Sequence, residues 1–297
     1  MGIDLNLVAW FVIKKELEAG QTDVDELEAA FEQVKADVAE EILQYYRTPC
    51  PSDEHDGGDG EHDGHAADVM YNFWVKELDC VSYGHTVPLF KDYRMAKGRY
   101  ENSEQYNVLC PYCGAITLTD DWQEESECNE CAYEFVSAEG NVTRGGYYNC
   151  PDCGQKEAIT EAISQQGKPE MRLYAVEYYC ADCDDAGKQK SSYKGCKPAE
   201  EADKLLFEEA KGEWESRTDL HEYVPNEEIP EGAITAASSV SGNDVYQHGY
   251  EDWISFFNER QLLFLSKLLR RISNISNQNA MEHFLLAFSD SLRTNTK

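Results

Sequence analysis

The sequence is dominated by four pairs of cysteines, and the two members of each pair are separated by two residues. The pairs are Cys110/Cys113, Cys128/Cys131, Cys150/Cys153 and Cys180/Cys183. This spacing is typical of zinc ligands, because one tight turn presents two thiolates to a tetrahedral ion. Gly114 and Gly154 directly follow two of the pairs and relieve strain in the turn. We therefore predict that the chain folds around metal ions.

Combining each turn with its neighbour along the chain predicts two zinc ribbons. The ligands are Cys110, Cys113, Cys128 and Cys131 in the first site and Cys150, Cys153, Cys180 and Cys183 in the second. Short strands between the turns fit hairpins that bury too little apolar area to fold without metal. Disulfides are the less favoured alternative, since the opening residues do not resemble a secretion signal. A redox dithiol is less favoured still, because one exchange reaction does not require four pairs.

Upstream, the sequence indicates an incomplete third ribbon. Cys50 and Cys80 each begin a similar turn but lack the second cysteine. His55 and His85 are candidates to replace the missing thiolates, so a third metal site is one interpretation of this region. The alternative is a polar loop with incidental metal affinity, because residues 53–65 are rich in Asp, Gly and His.

Acidic residues strongly outnumber basic ones. The chain has 297 residues, with 57 Asp and Glu against 26 Lys and Arg, a formal net charge of −31 and 41% hydrophobic residues. The apolar fraction excludes a fully disordered chain. Such a charge repels nucleic acid in dilute buffer, but in molar salt the Debye length falls to about 3 Å and the repulsion is screened. Acids spread along the whole chain therefore favour a halophilic protein over an ordinary acidic one.

The hydropathy pattern argues against a membrane protein. Runs of about 18 apolar residues, the length of a membrane span, do not occur. The apolar opening at residues 7–13 follows polar residues rather than a basic leader. We expect a cytoplasmic protein that does not contact membranes.

Periodicity and composition divide the chain into four parts. These are a strand end and two helices at 1–47, the cysteine-rich region at 48–198, an acidic helix and linker at 199–248, and a helical region at 249–297. Thr22 or Asp23 is expected to cap the second helix. Residues 259–297 contain six basic and three acidic residues, a local balance of +3. Residues 91–106 mix cations with tyrosines and are a candidate for phosphate contact.

Segments near both ends resemble one enzyme family. Residues 2–11, Gly-Ile-Asp-Leu-Asn-Leu-Val-Ala-Trp-Phe, resemble the G-V-D-L-N-P-V-A segment of the zinc-ribbon-containing adenine-specific DNA methylases. Residues 253–263, Trp-Ile-Ser-Phe-Phe-Asn-Glu-Arg-Gln-Leu-Leu, resemble the F-N-P-R-Q-L-L helix start of that family, and residues 287–292 continue the likeness. Cys-Pro-x-Cys-Gly ribbons between these landmarks also belong to the family, so the resemblance covers essentially the whole chain.

The resemblance implies an α/β fold, namely a partial Rossmann-like methyltransferase core interrupted by a β-rich tandem zinc-ribbon insert. It also implies that Asp4, at the end of a strand, accepts hydrogen bonds from the ribose hydroxyls of S-adenosylmethionine, with Asn6 beside it in the cofactor site. A carboxylate that holds a ribose in this way fits the general rule for doubly wound sheets. Leu7 departs from the proline of the family, which loosens the predicted turn.

Two motifs of the family are missing from the sequence. One is the glycine-rich D-P-F-x-G-G-G-T cofactor loop, expected before Asp4, and the other is the catalytic D-P-P-Y tetrapeptide, expected after Asn295. The tetrapeptide is needed because it holds the amino group of an extruded adenine and stacks on the base. We therefore assign no catalytic residue to the chain.

The expectation is a fragment or split subunit of an S-adenosylmethionine-dependent DNA (adenine-N6) methyltransferase. It would bind two zinc ions and DNA, and it would bind the cofactor only when other polypeptides supply the missing motifs. The alternative is a non-enzymatic zinc-ribbon module that binds nucleic acid or protein.

Overall fold

A computed structural model describes residues 7–51, 65–100, 103–230 and 245–294. These residues form two compact units. The helical unit comprises the described parts of 1–45, 207–228 and 252–297, and the cysteine-rich unit comprises those of 46–206 and 229–251. The predicted cofactor-binding residues Asp4 and Asn6, and the predicted metal ligand His55, lie outside the described residues.

The described helices range from 4 to 20 residues in length. They are α1 Leu7–Glu18, α2 Val24–Leu43, α3 Ile159–Gln166, α4 Ala181–Asp185, α5 Lys190–Tyr193, α6 Glu201–Ser216, α7 Glu259–Ser273 and α8 Gln278–Thr294. Single 3₁₀ turns are found at Ala19–Gln21, Thr218–Tyr223, Tyr246–His248 and Ile254–Phe256. Among these helices, none has the combination of length and apolar character that crossing a bilayer requires.

The helices of the helical unit begin where their capping residues predict. The Asp23 carboxylate accepts a hydrogen bond from the backbone N–H of Asp25 at 2.9 Å, so α2 begins at the next residue after the cap. Asn258 and Gln261 form a reciprocal capping box at the start of α7. Leu263 and Ile272 of α7 are buried, and α7 packs against α2 and α8. This unit therefore has an apolar core of the usual helical kind.

Two lysines are buried in the helical unit, and each is paired with carboxylates. Lys15 Nζ lies 2.5 Å from Glu282 Oε2, which links α1 to α8. Lys267 Nζ lies 2.7 Å from Glu213 Oε1, and the Tyr45 hydroxyl donates to the same carboxylate at 2.6 Å. These ion pairs join helices that are far apart in the sequence.

The acidic helix expected at the start of 199–248 is α6, and the first part of the linker expected after it is structured. After α6, the turn Thr218–Tyr223 buries Leu220 completely. The Asp219 carboxylate accepts hydrogen bonds from Arg217 at 2.8 Å and from Arg270 at 2.7 Å. An apolar anchor and two ion pairs therefore fix a segment whose composition resembles a loop.

The strands of the described residues belong to the cysteine-rich unit. They are β1 Arg47–Pro49, β2 Ala66–Asp79, β3 Thr86–Pro88, β4 Arg94–Tyr100, β5 Ser103–Leu109, β6 Ile116–Thr119, β7 Glu125–Glu127, β8 Glu134–Val136, β9 Val142–Thr143, β10 Tyr147–Asn149, β11 Lys156–Ala158, β12 Glu170–Tyr179 and β13 Lys194–Pro198.

The central sheet has five strands in the order β1-β2-β12-β13, with β3 also paired to β2. In its middle, Trp74 of β2 lies opposite Leu173 of β12, and Val75 and Val176 are buried. Every strand pairing in the described residues is antiparallel. The prediction of mixed helices and strands is confirmed. The doubly wound parallel sheet of a Rossmann-like core is not confirmed.

Three smaller sheets surround the metal-ligand turns, in the orders β4-β5-β6, β7-β8 and β11-β10-β9. A chain of aromatic rings runs from the smaller sheets to the central sheet. Neighbouring ring centroids lie 5.3 to 6.4 Å apart along Tyr112, Tyr133, Phe135, Tyr93, Phe90, Tyr174 and Phe73. Aromatic pairs at this separation contribute about 0.5–1.5 kcal/mol each beyond the burial of their area.

Candidate metal centres

Three groups of side chains in the cysteine-rich unit bring metal-ligand atoms close together. We name them the ribbon site (Cys110, Cys113, Cys128 and Cys131), the His65 site (Cys50, His65, Cys180 and Cys183) and the His85 site (Cys80, His85 and Cys150, with Cys153 adjoining). Within each group, Cys153 apart, the donor atoms lie within 4.8 Å of one another. All the cysteines are free thiols.

The ribbon site contains the ligands of the first predicted zinc ribbon. The Sγ atoms of Cys110 and Cys131 lie 3.7 Å apart, and those of Cys113 and Cys128 lie 3.6 Å apart. Four sulfurs around a tetrahedral zinc ion with bonds of about 2.3 Å would be separated by about 3.8 Å. The distance is far too long for a disulfide bond of about 2 Å. The geometry therefore fits a four-thiolate zinc site.

The His65 site lies at the start of β2, where β1 and the end of β12 meet. The backbone N–H of Cys50 donates to the carbonyl of His65 at 3.1 Å, which fixes the first two ligands side by side. The His65 Nε2 atom lies 2.8 Å from Cys180 Sγ and 3.3 Å from Cys183 Sγ. Since Cys50 Sγ is 3.7 Å from Cys183 Sγ, three thiols and one imidazole surround a common centre.

The His85 site lies at the opposite end of β2. His85 Nε2 lies 3.0 Å from Cys150 Sγ, and Cys80 Sγ lies 3.6 Å from Cys153 Sγ. The Asp152 carboxylate also approaches His85 Nε2, at 3.0 Å. Cys80 and Cys150 are buried, whereas Cys153 is exposed. This group therefore has three thiols and one imidazole, as in the His65 site, with one thiol facing solvent.

The second predicted zinc ribbon is not assembled as expected, because its four cysteines fall into two different groups. Cys150 lies in the His85 site, and Cys180 and Cys183 lie in the His65 site. The physical reason is the length of β2. At about 3.4 Å per residue, its 14 residues separate the two ends by roughly 45 Å, and β12 runs antiparallel beside it. Each cysteine pair therefore meets the ligands at its own end of β2 rather than its neighbour in sequence.

The upstream cysteines do lie among metal-ligand atoms, but they do not share one third site as the incomplete ribbon implied, because Cys50 and Cys80 lie in different groups. Cys50 and Cys80 each join a group, and His85 supplies the imidazole at the Cys80 turn. At the Cys50 turn the imidazole comes from His65 instead of the predicted His55. His65 directly precedes the long strand β2, and this position was visible in the sequence. Its role as a candidate ligand follows only from the pairing of β1 with β2, which brings Cys50 beside it.

Four of the ligand turns share one backbone pattern. In each, the N–H of the first cysteine donates to the carbonyl five residues later, and its own carbonyl accepts from the N–H four residues later. The turns begin at Cys80, Cys110, Cys128 and Cys150. Tyr83 replaces the second cysteine of the Cys80 turn, yet both hydrogen bonds are present, at 2.8 and 2.6 Å. The backbone therefore forms the turn without the second thiol.

The fourth residue after the first cysteine adopts a left-handed conformation in all four turns. Gly84, Gly114 and Gly154 have φ of +69°, +76° and +71° at this position. In the Cys128 turn, Ala132 takes it with φ of +56° and is the described non-glycine residue with positive φ. A Cβ atom in this region is strained, which explains the glycines at the other turns.

Neighbouring thiols in the ribbon site perturb one another. Burial by itself raises the pKa of the Cys128 thiol, but the backbone N–H groups of Glu130 and Cys131 stabilise its thiolate and lower the pKa to about 6. Burial, together with hydrogen bonds from neighbouring thiols, raises the pKa of Cys131 to about 12. Once one thiolate has formed, a second is disfavoured, and a divalent cation removes this penalty.

The basic residues of α7 are engaged inside the helical unit. Arg260 and Lys267 are buried, and the Arg270 and Arg271 guanidinium groups contact Asp219 and Asp37. The local charge balance of +3 therefore includes several cations that already have carboxylate or backbone partners.

The ribbon site and the His65 site each bring four donor atoms together, and in the His85 site Cys153 adjoins three. Four protein ligands leave a tetrahedral ion with no open coordination position for substrate. Such closed sites are structural rather than catalytic. Comparisons with protein-family models, with curated proteins and with solved structures found no match to this chain. The interpretation of the sites therefore depends on their own geometry.

Proposed function

We propose that each of the three groups holds a structural zinc ion. The observation that carries this proposal is that nine cysteines and two histidines, eleven residues in three groups, bring their donor atoms to separations typical of tetrahedral coordination. Cysteine and histidine are the donors that zinc prefers. Burying so many thiols around three centres is otherwise hard to explain, because unpaired polar groups in a core cost free energy.

Metal content can test both the number of ions and the pairing of ligands. We expect three zinc ions per chain in the purified protein, measured by elemental analysis. Cys150→Ser and Cys180→Ser should each remove one ion, and the double variant should remove two, because the residues belong to different sites. A double variant that loses only one ion would restore the pairing by sequence neighbours. Cys196→Ser, outside the three groups, should keep all three ions.

We further propose that the chain is the zinc-stabilised, non-catalytic part of an S-adenosylmethionine-dependent DNA (adenine-N6) methyltransferase, and that it acts with polypeptides carrying the glycine-rich loop and the D-P-P-Y motif. The segments that resemble this family lie near opposite ends of the sequence. Support comes from the helical unit, which contains the described parts of 1–45 and of 252–297, and in which an ion pair between Lys15 and Glu282 links α1 to α8. The cysteine-rich unit then corresponds to an insert between two parts of one domain.

A complementation assay tests this assignment. The zinc-loaded chain should show no methyl transfer to DNA alone and should show it when polypeptides bearing the two missing motifs of that family are added. Transfer should also require zinc in this chain. If addition of those polypeptides never produces adenine methylation, the assignment is wrong.

A second candidate function is a separate zinc-ribbon module that binds nucleic acid or another protein. The all-antiparallel pairing of the described strands favours it, because such a sheet needs no methyltransferase core to complete it. Zinc-dependent binding to DNA, with no affinity for S-adenosylmethionine in the complemented mixture, would favour this function over the first.

A further inference from the structure

The ribbon site carries an exposed pair of stacked tyrosines. Tyr112 lies inside the Cys110 turn and Tyr133 follows the Cys128 turn, and their ring centroids are 5.6 Å apart with 14° between the planes. Tyr112 is 76% exposed and Tyr133 is 45% exposed. Phe135 continues the stack beneath Tyr133 and is buried. The pair is therefore held rigidly from below while its outer faces remain open to solvent.

The surroundings of this pair are strongly negative. The segment from Cys110 to Glu139 contains eight acidic residues and neither Lys nor Arg. All eight are exposed: Asp120, Asp121, Glu124, Glu125, Glu127, Glu130, Glu134 and Glu139. In the described part of the chain none of them forms an ion pair. Glu127 and Glu134 lie directly opposite each other on β7 and β8, an arrangement of like charges that destabilises a hairpin unless a cation screens it.

The same ribbon already holds one guanidinium group on an aromatic ring. The Arg94 guanidinium carbon of β4 lies 4.2 Å from the centroid of the Trp122 ring, which is within cation–π distance. Arginine combined with an aromatic ring is thus a contact that this surface makes within the chain itself.

We propose that the Tyr112–Tyr133 pair, with the carboxylates around it, is a docking surface for an arginine-rich polypeptide segment. Aromatic faces attract guanidinium groups, and the surrounding carboxylates steer a basic chain to them. A nucleic-acid strand also stacks on aromatic rings, but proteins that bind such strands line the path of the phosphates with cations, and the segment from Cys110 to Glu139 contains neither Lys nor Arg. This surface does not depend on the methyltransferase assignment.

The test uses the full zinc-loaded chain and a fluorescent peptide in which arginine alternates with glycine and serine. Anisotropy should show binding that weakens as salt is added, because charge steers the association. Replacing both rings, Tyr112→Ala with Tyr133→Ala, should weaken binding about tenfold. Glu127→Gln with Glu134→Gln should weaken binding several-fold while the rings stay in place.

Three controls make the result specific. Tyr83→Ala changes a tyrosine that is 75% exposed on another ligand turn, and it should leave peptide affinity unchanged. Zinc content must stay the same in every variant, which separates loss of the surface from loss of the fold. A peptide with glutamine in place of arginine should not bind. Absence of peptide binding, or binding that both tyrosine substitutions leave intact, would overturn the proposal. So would tyrosine-dependent binding of an oligothymidylate in place of the peptide.

Discussion

The two units of the chain bury different kinds of side chain. In the cysteine-rich unit, each of the three metal-ligand groups contributes buried thiols to a small apolar cluster, such as Cys110 and Cys128 beside Val108. In the helical unit the buried hydrophobic residues are aliphatic and aromatic side chains from several helices, such as Val34, Trp214 and Leu263, and two paired lysines are buried with them. All 11 cysteines lie between residues 50 and 196. The difference teaches that, where the strands are short, groups of potential metal ligands lie at interior positions that apolar side chains fill in the helical unit.

Chelation should lower the stability more than any other change, and it should do so only in the cysteine-rich unit. Removing zinc should cost about 10 kcal/mol of folding free energy per site, so the cysteine-rich unit should unfold while much of the helical signal persists. Circular dichroism melts with and without chelator measure this, and added zinc should restore the first curve. Superimposable melts would show that the metals do not hold the fold.

Breaking a buried ion pair should cause the next largest loss of stability, in the helical unit. Lys267→Met removes the buried ammonium group that pairs with the Glu213 carboxylate. The loss should lower the free energy of unfolding by about 3 kcal/mol. Lys35→Met is the matched control, since Lys35 is 58% exposed and lies 3.7 Å from Glu32. Urea unfolding compares the two variants. Equal losses would contradict the prediction, and zinc content should be unchanged in both.

The helical unit should also respond to acid through Glu282. Hydrogen bonds from Gln278 and from Lys15 lower the pKa of the Glu282 carboxyl from its ordinary 4.5 to about 2. A lowered pKa gives stability that is complete above pH 4.5 and is lost as the pH falls through about 2.

The contribution should be about 1 kcal/mol, because part of the side chain is screened by solvent. Urea unfolding at a series of pH values would show the wild type approaching Glu282→Gln as acid is added. The other carboxylates titrate in both proteins and cancel in the difference. A constant difference across this range would contradict the assignment.

The smallest effect should come from relieving strain in a ligand turn. Ala132→Gly removes the Cβ atom from a residue with φ of +56° and should stabilise the cysteine-rich unit by about 0.5 kcal/mol, since strain relief exceeds the added chain entropy. Ala138→Gly, where φ is not positive, should destabilise by a similar amount. Thermal unfolding of the zinc-loaded proteins measures both changes. Destabilisation by Ala132→Gly would mean that the turn does not strain its alanine.

The sequence by itself determined the local elements. Capping residues located α2, the repeat of apolar residues located α7, and C-x-x-C spacing located the ligand turns, because each signal acts within a few residues of the chain. Cys50, Cys80 and His85 were already candidates for a third metal site on the same local grounds. The four ligands of the ribbon site could also be assigned, because Cys128 follows Cys113 by only 15 positions in the sequence.

Tertiary structure decided which distant ligands meet. The turns that begin at Cys150 and Cys180 follow one another in the sequence, yet the two cysteines lie at opposite ends of the central sheet, beside opposite ends of β2. His65 became a ligand because β1 pairs with β2 and brings Cys50 beside it. The pairing of β2 with β12, which are about 100 residues apart, leaves no trace in local spacing, so the sequence could identify the thiols of these sites but not their partners.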